Sequence, residues 1–106
     1  MPWIKTIPTS ELGEEGLASA QAGNVWVALY RVDEEYYATS VVCTHGQASL
    51  ADGYLEGHNI ECPLHQGTFD VRTGKPTGAP CTVPVRTFRV RVEDDVILVE
   101  VGQGEV

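Results

Sequence analysis

A chain of 106 residues with 42% hydrophobic content is long enough for one domain around one core and too short for two ordinary ones. Its 15 acidic against 7 basic residues leave a net charge of -8, which repels nucleic acid and anionic membrane surfaces and excludes both as expected partners. No run approaches the ~18 apolar residues of a membrane span. Met1-Pro2-Trp3-Ile4-Lys5-Thr6 lacks a signal-peptide pattern, and an odd count of 3 cysteines argues against a disulfide framework, so a reducing cytoplasm is the expected compartment.

Trp3-Ile4-Lys5-Thr6-Ile7 alternates weakly and stops at Pro8, the pattern of an edge strand, where a missing N–H costs little. Ser10-Glu11-Leu12-Gly13 is too short to count as a helix and is broken by Gly13 and Gly16. Leu17 to Ala20 reads as a short strand before a turn at Gln21-Ala22-Gly23-Asn24. Val25 to Val32 is branched and aromatic with apolar residues on both faces, which predicts a central strand covered on each side. Asp33-Glu34 turns the chain, and Glu35 to Thr39 returns as the hairpin partner.

Tyr54-Leu55-Glu56 and Asn59-Ile60-Glu61 predict two brief strands joined at Gly57-His58, Thr68 to Val71 a further strand, and Arg72 to Pro80 an irregular loop. The last third is a hairpin turning at Asp94-Asp95, with Phe88, Val90 and Val92 on the core face and Arg89 and Arg91 outward. Trp3, Trp26, Tyr30, Tyr36, Tyr37 and Phe88 read as core. Many short strands and no long helix predict an all-β antiparallel sandwich or barrel, with residues 1–106 as a single domain.

Two clusters stand out: Cys43-Thr44-His45-Gly46 and Cys62-Pro63-Leu64-His65-Gln66-Gly67. Thiolate sulfur and imidazole nitrogen are the donors that bind soft and borderline transition metals, and Cys43, His45, Cys62 and His65 make a four-ligand set. Zinc fingers usually pair cysteines first and histidines last, whereas here each loop offers one of each, which suits a two-iron cluster with unlike ends. A structural zinc module built from the same four residues is the alternative.

At these residues the chain resembles the Rieske proteins. The resemblance extends from the strand at Val25 to the hairpin ending at Val101 and implies one [2Fe-2S] cluster per chain, carried on a small cluster-binding subdomain of about residues 41–81. It assigns Cys43 and Cys62 to the buried iron and His45 and His65 to the outer one. Neutral imidazoles in place of two thiolates remove negative charge and raise the potential above that of four-cysteine clusters. Pro80, with Gly78, resembles the proline loop that covers such clusters.

High-potential Rieske proteins of cytochrome bc-type complexes carry a disulfide between the loops and a serine on a bridging sulfur. The corresponding positions are Ala48, Leu64 and Gly67, which implies a low potential. Rieske oxygenase subunits need a further iron domain, for which only His58 is spare, and His58 reads as a solvated turn residue. The small Rieske ferredoxins of bacterial aromatic-ring dioxygenase systems are similar in length, in the second cluster, in Gly53-Tyr54-Leu55-Glu56-Gly57 and in Gly78-Ala79-Pro80. That resemblance implies a monomeric electron carrier rather than an enzyme, passing single electrons from a flavin-dependent NAD(P)H reductase to a terminal Rieske oxygenase. An accessory subunit of the nitrite-reductase small-subunit type is the alternative within the family. Asp52 and Glu56 are expected to face the partner, and Cys81 reads as a small buried or half-buried thiol.

Overall fold

The computed structural model describes residues 3–43, 48–63, 66–79 and 83–101. The larger of its two antiparallel sheets contains, in spatial order, β1 (Trp3–Pro8), β10 (Val96–Glu100), β9 (Thr87–Glu93), β4 (Glu35–Ser40), β3 (Val25–Val32) and β2 (Leu17–Ala22). Its two edges approach one another: a Cβ added at Gly23, just past β2, would lie 3.1 Å from Ile4 Cδ1 on β1. The sheet therefore nearly closes into a barrel. The smaller sheet runs β5 (Tyr54–Glu56), β6 (Asn59–Glu61), β7 (Thr68–Asp70), β8 (Pro76–Gly78).

Strand β3 explains how these sheets fit together. Successive side chains on a strand point to opposite faces. Val27 and Leu29 face the barrel interior with Leu12, Ala38, Ile97 and Val99, while Ala28 and Tyr30 face outward into a second core containing Leu50, Ile60, Phe69, Val71 and Val85. The small sheet thus covers the outside of the barrel at β3 and β4, and the two-sided apolar pattern of Val25–Val32 reflects that double cover.

The structure departs from the sequence-based expectations in identifiable places. Strand β2 continues to Ala22, so the turn contracts to Gly23-Asn24; Thr9–Leu12 forms a 3-10 turn that buries Leu12; and Pro76–Gly78, expected as loop, pairs with β7. Val92 is 39% exposed rather than core, because among the described residues β4 pairs with β9 only at Ala38↔Phe88 and Thr39↔Thr87 and no strand continues beside the far end of β9 on that side. Trp26 is 52% exposed, being on the outer face of β3 but outside the core formed under the small sheet. Trp3 is half-buried, its ring capped by the Arg91 guanidinium at 4.6 Å, a cation–π contact.

Both long hairpins turn on acidic pairs in the left-handed region: Asp33 and Glu34 at φ 51° and 71°, Asp94 and Asp95 at 52° and 63°. Two-residue hairpin turns of type I′ require positive φ at both centres and favour Asn-Gly, since a Cβ there crowds the backbone. Glu34→Gly is accordingly expected to stabilise the protein by about 1 kcal/mol, read as a higher urea midpoint at unchanged slope. Burial raises the Tyr30 phenol well above its ordinary value of 10.0. The unfolded chain then loses that proton near pH 10 while the folded one keeps it, so stability is intact below about pH 10 and falls as pH rises beyond it. Urea midpoints measured from pH 8 to 11 should drop, and drop less in Tyr30→Phe.

Candidate metal centre

Each cluster loop begins at a cysteine and closes in the same way. Beyond β4 the chain leaves the ladder, and the Cys43 N–H donates to the Ala48 carbonyl at 2.9 Å, with Val42 bridging Ser49 and Leu50 N–H donating to Val41 O at 2.7 Å. Beyond β6, the Cys62 N–H donates to the Gly67 carbonyl at 2.7 Å, five residues on as in the first loop, and Gln66 takes a positive φ of 62° to complete the reversal. Two loops closed by the same hydrogen bond, each starting from a cysteine, emerge from the two sheets that meet at β3.

Cys43 and Cys62 are 2% and 0% exposed and belong to the same apolar core. Two sulfur donors in one dry, close-packed setting fit the cysteine end of an iron-sulfur cluster, whose iron would balance the charge of the coordinating sulfurs. Gly53 secures the approach to Cys62: a Cβ there would collide with the carbonyl of Glu61, the residue before it. Gly74, at φ +80°, is likewise pressed against the Val85 carbonyl, and its N–H and C=O tie Asp70 to Val85.

His45, His65, Leu64, Pro80 and Cys81 lie outside the described residues. Among the described residues no three potential metal-ligating side chains gather. Ala48 is half-buried at the closure of the first loop, and it offers no sulfur to a second loop. His58 does occupy the β5–β6 turn, but it is half-buried and meets the Tyr37 ring edge-on at 5.8 Å, while its carbonyl accepts from Val71 N–H. It therefore helps to seat the small sheet on β4, a role with no signal in the sequence. Nearby, hydrogen bonds from Arg72 hold the Asp70 carboxyl below its ordinary pKa.

Asp52 and Glu56 are exposed, and Asp52 lines a cleft of roughly 470 Å³ with Glu14, Glu15 and Tyr54. Sequence reasoning missed the apolar surface beside the first loop. Val42, adjacent to Cys43, is 54% exposed and joins Val41, Ala48 and Ser49 around a shallow hollow. An exposed valine in a strand-rich segment carries no signal until the fold shows which face is left uncovered.

Paired loops, each led by a buried cysteine on the flank of a β-barrel, form a frame that suits a two-iron cluster. The Rieske [2Fe-2S] domain signature matches residues 2–89, and the chain belongs to the Rieske [2Fe-2S] family. It is 43% identical to the ferredoxin component of the naphthalene 1,2-dioxygenase system of Pseudomonas putida over 94% of this chain and 96% of that one. It is 44% identical to the anthranilate 1,2-dioxygenase ferredoxin subunit of Burkholderia cepacia over 94% and 93%. Among solved structures, a chain of the complex of reduced oxygenase and oxidized ferredoxin in carbazole 1,9a-dioxygenase superposes with a TM-score of 0.83 at 42% identity, covering 92% of this chain and 91% of that one. The protein is a [2Fe-2S] ferredoxin, an electron carrier rather than a catalyst.

Proposed function

We propose that this chain is the ferredoxin of a multicomponent aromatic-ring dioxygenase, accepting single electrons from a flavin-dependent NAD(P)H reductase and delivering them to a terminal Rieske oxygenase. The observation that carries the reading is 43% identity over nearly the whole length of a dioxygenase-system ferredoxin. Cys43, His45, Cys62 and His65 are the proposed ligands. When bound, the cluster supplies a one-electron couple. The residues of the chain do the rest: the core of Leu50, Ile60, Phe69 and Val85 excludes water from the sulfur ligands, and the uncovered Val42 offers an apolar contact next to Cys43.

The absence of sulfur at Ala48 and of a hydroxyl at Gly67 supports a potential near the low end of the Rieske range, about -150 mV. We place the carrier in the cytoplasm as a monomer, in keeping with an odd count of 3 cysteines, which does not suit a disulfide framework. The test is reconstitution with reductase and oxygenase pairs of known aromatic substrates, measuring product formed per NADH and titrating the same preparation. Product dependent on this chain and a potential near -150 mV are expected. Failure with every pair, or a potential well above zero, would overturn the reading.

A further inference from the structure

Thr39 is fully buried, 0% exposed, and it lies where β4 gives way to the first cluster loop. Its hydroxyl donates to the carbonyl of Ser40, the last residue of β4, at 2.9 Å. The Tyr30 hydroxyl, equally buried, is 2.8 Å from the same oxygen. A threonine hydroxyl has one proton to give, and since it goes to Ser40, the proton between the two hydroxyls belongs to Tyr30. The chain of bonds therefore has one direction: Tyr30 to Thr39 to the Ser40 carbonyl.

The location matters because the backbone is losing its regular ladder at this point. Ser40 N–H bonds Arg86 O, Val41 N–H reaches Trp26 O at 3.2 Å, and the chain then runs through Val42 to Cys43. Thr39 holds the peptide plane between Ser40 and Val41 from the side on which the small sheet packs. Tyr30 belongs to the same core as Cys43 and Cys62, so the pair sits at the junction of barrel, small sheet and ligand-bearing loop.

We infer that Thr39 is a positioning residue for the cluster: its hydroxyl, oriented by Tyr30, sets the direction in which the chain leaves β4 and hence where Cys43 stands relative to Cys62. This inference rests on Cys43 being a ligand. The two hydroxyls have separable effects. Removing the Tyr30 hydroxyl leaves the Thr39 to Ser40 bond in place, whereas removing the Thr39 hydroxyl breaks that bond and strands the buried Tyr30 hydroxyl.

The experiment compares wild type, Tyr30→Phe, Thr39→Val, Thr39→Ala and Thr39→Ser as cluster-loaded proteins, reading visible circular dichroism, the g-values of the reduced cluster and the midpoint potential. Tyr30→Phe is expected to lose stability and keep the wild-type signature. Thr39→Val and Thr39→Ala are expected to shift the signature, and Thr39→Ser to restore it. A general loss of stability would not separate tyrosine from threonine in this way. The inference is overturned if both hydroxyl-free variants at position 39 keep the wild-type signature, if Tyr30→Phe shifts it as far as they do, or if Thr39→Ser fails to restore it. It is also overturned if neither hydroxyl-free variant folds while Thr39→Ser does, since the hydroxyl then serves the whole fold. If wild type shows no [2Fe-2S] signature, the ligand assignment itself fails, and that result is distinct from the others.

Discussion

Cys62→Ala is expected to give a protein that folds as a barrel but has neither the visible absorption of the oxidised cluster nor the paramagnetic signal of the reduced one. Electron delivery should fall more than about 100-fold, because changes to groups that merely support ligands already cost 10–100-fold. The barrel should survive because its interior is a separate core: Val27, Leu29, Ala38, Ile97 and Val99 make no use of the residues grouped with Cys62. Cys81→Ser is the control, expected to retain the cluster spectrum, as a thiol outside the proposed ligand set should. Far-ultraviolet circular dichroism and iron content measured together decide the matter. Stoichiometric iron in Cys62→Ala, or loss of iron in Cys81→Ser, would show that the ligand set is misassigned.

Phe69→Ala is expected to have the largest effect on stability. The ring is fully buried on β7 opposite Ile60 of β6, in the core that also holds both cysteines. Truncating a buried phenylalanine costs about 3–5 kcal/mol, including the cavity left behind. Set against a total of ~5–15 kcal/mol for a domain, that places the variant near its stability limit. The loss should fall unevenly, since Phe69 props the small sheet against Tyr30 and contributes nothing to the barrel interior. Amide exchange should accelerate in β5 to β8 before β1 and β10, and cluster loss should precede barrel unfolding. Ile97→Val, a small deletion in the other core, should cost about 0.5–1.5 kcal/mol and show the opposite order. Uniform acceleration across both sheets would show that the two cores unfold as one unit.

Much of the architecture was legible because strand signals are local. The hairpins at Asp33-Glu34 and Asp94-Asp95 and the strand pair Tyr54–Glu56 and Asn59–Glu61 stand where alternation and turn residues placed them. The errors occur where the outcome depends on a distant element. Val92 alternates like Phe88 and Val90, yet its burial depends on whether β4 continues alongside, and it does not. Pro76–Gly78 has the composition of a loop and becomes a strand only because the edge of β7 is there to receive it. Trp26 has the size and neighbours of a core residue, and the reach of the small sheet decides otherwise.

The same division applies to the functional centre. By itself the sequence supplied the candidate donors, their alternating Cys-His order and the missing sulfur at Ala48 and hydroxyl at Gly67, because these depend on which atoms are present and how far apart they lie along the chain. Only the tertiary structure decided that Cys43 and Cys62 share one dry core, that their loops close with matching hydrogen bonds, and that Tyr30, Thr39 and the Ser40 carbonyl meet at the end of the strand leading to the first of them. The physical reason is that burial and hydrogen-bond satisfaction depend on segments brought together by folding, here a barrel strand and a small sheet that are separate in the sequence and meet at β3.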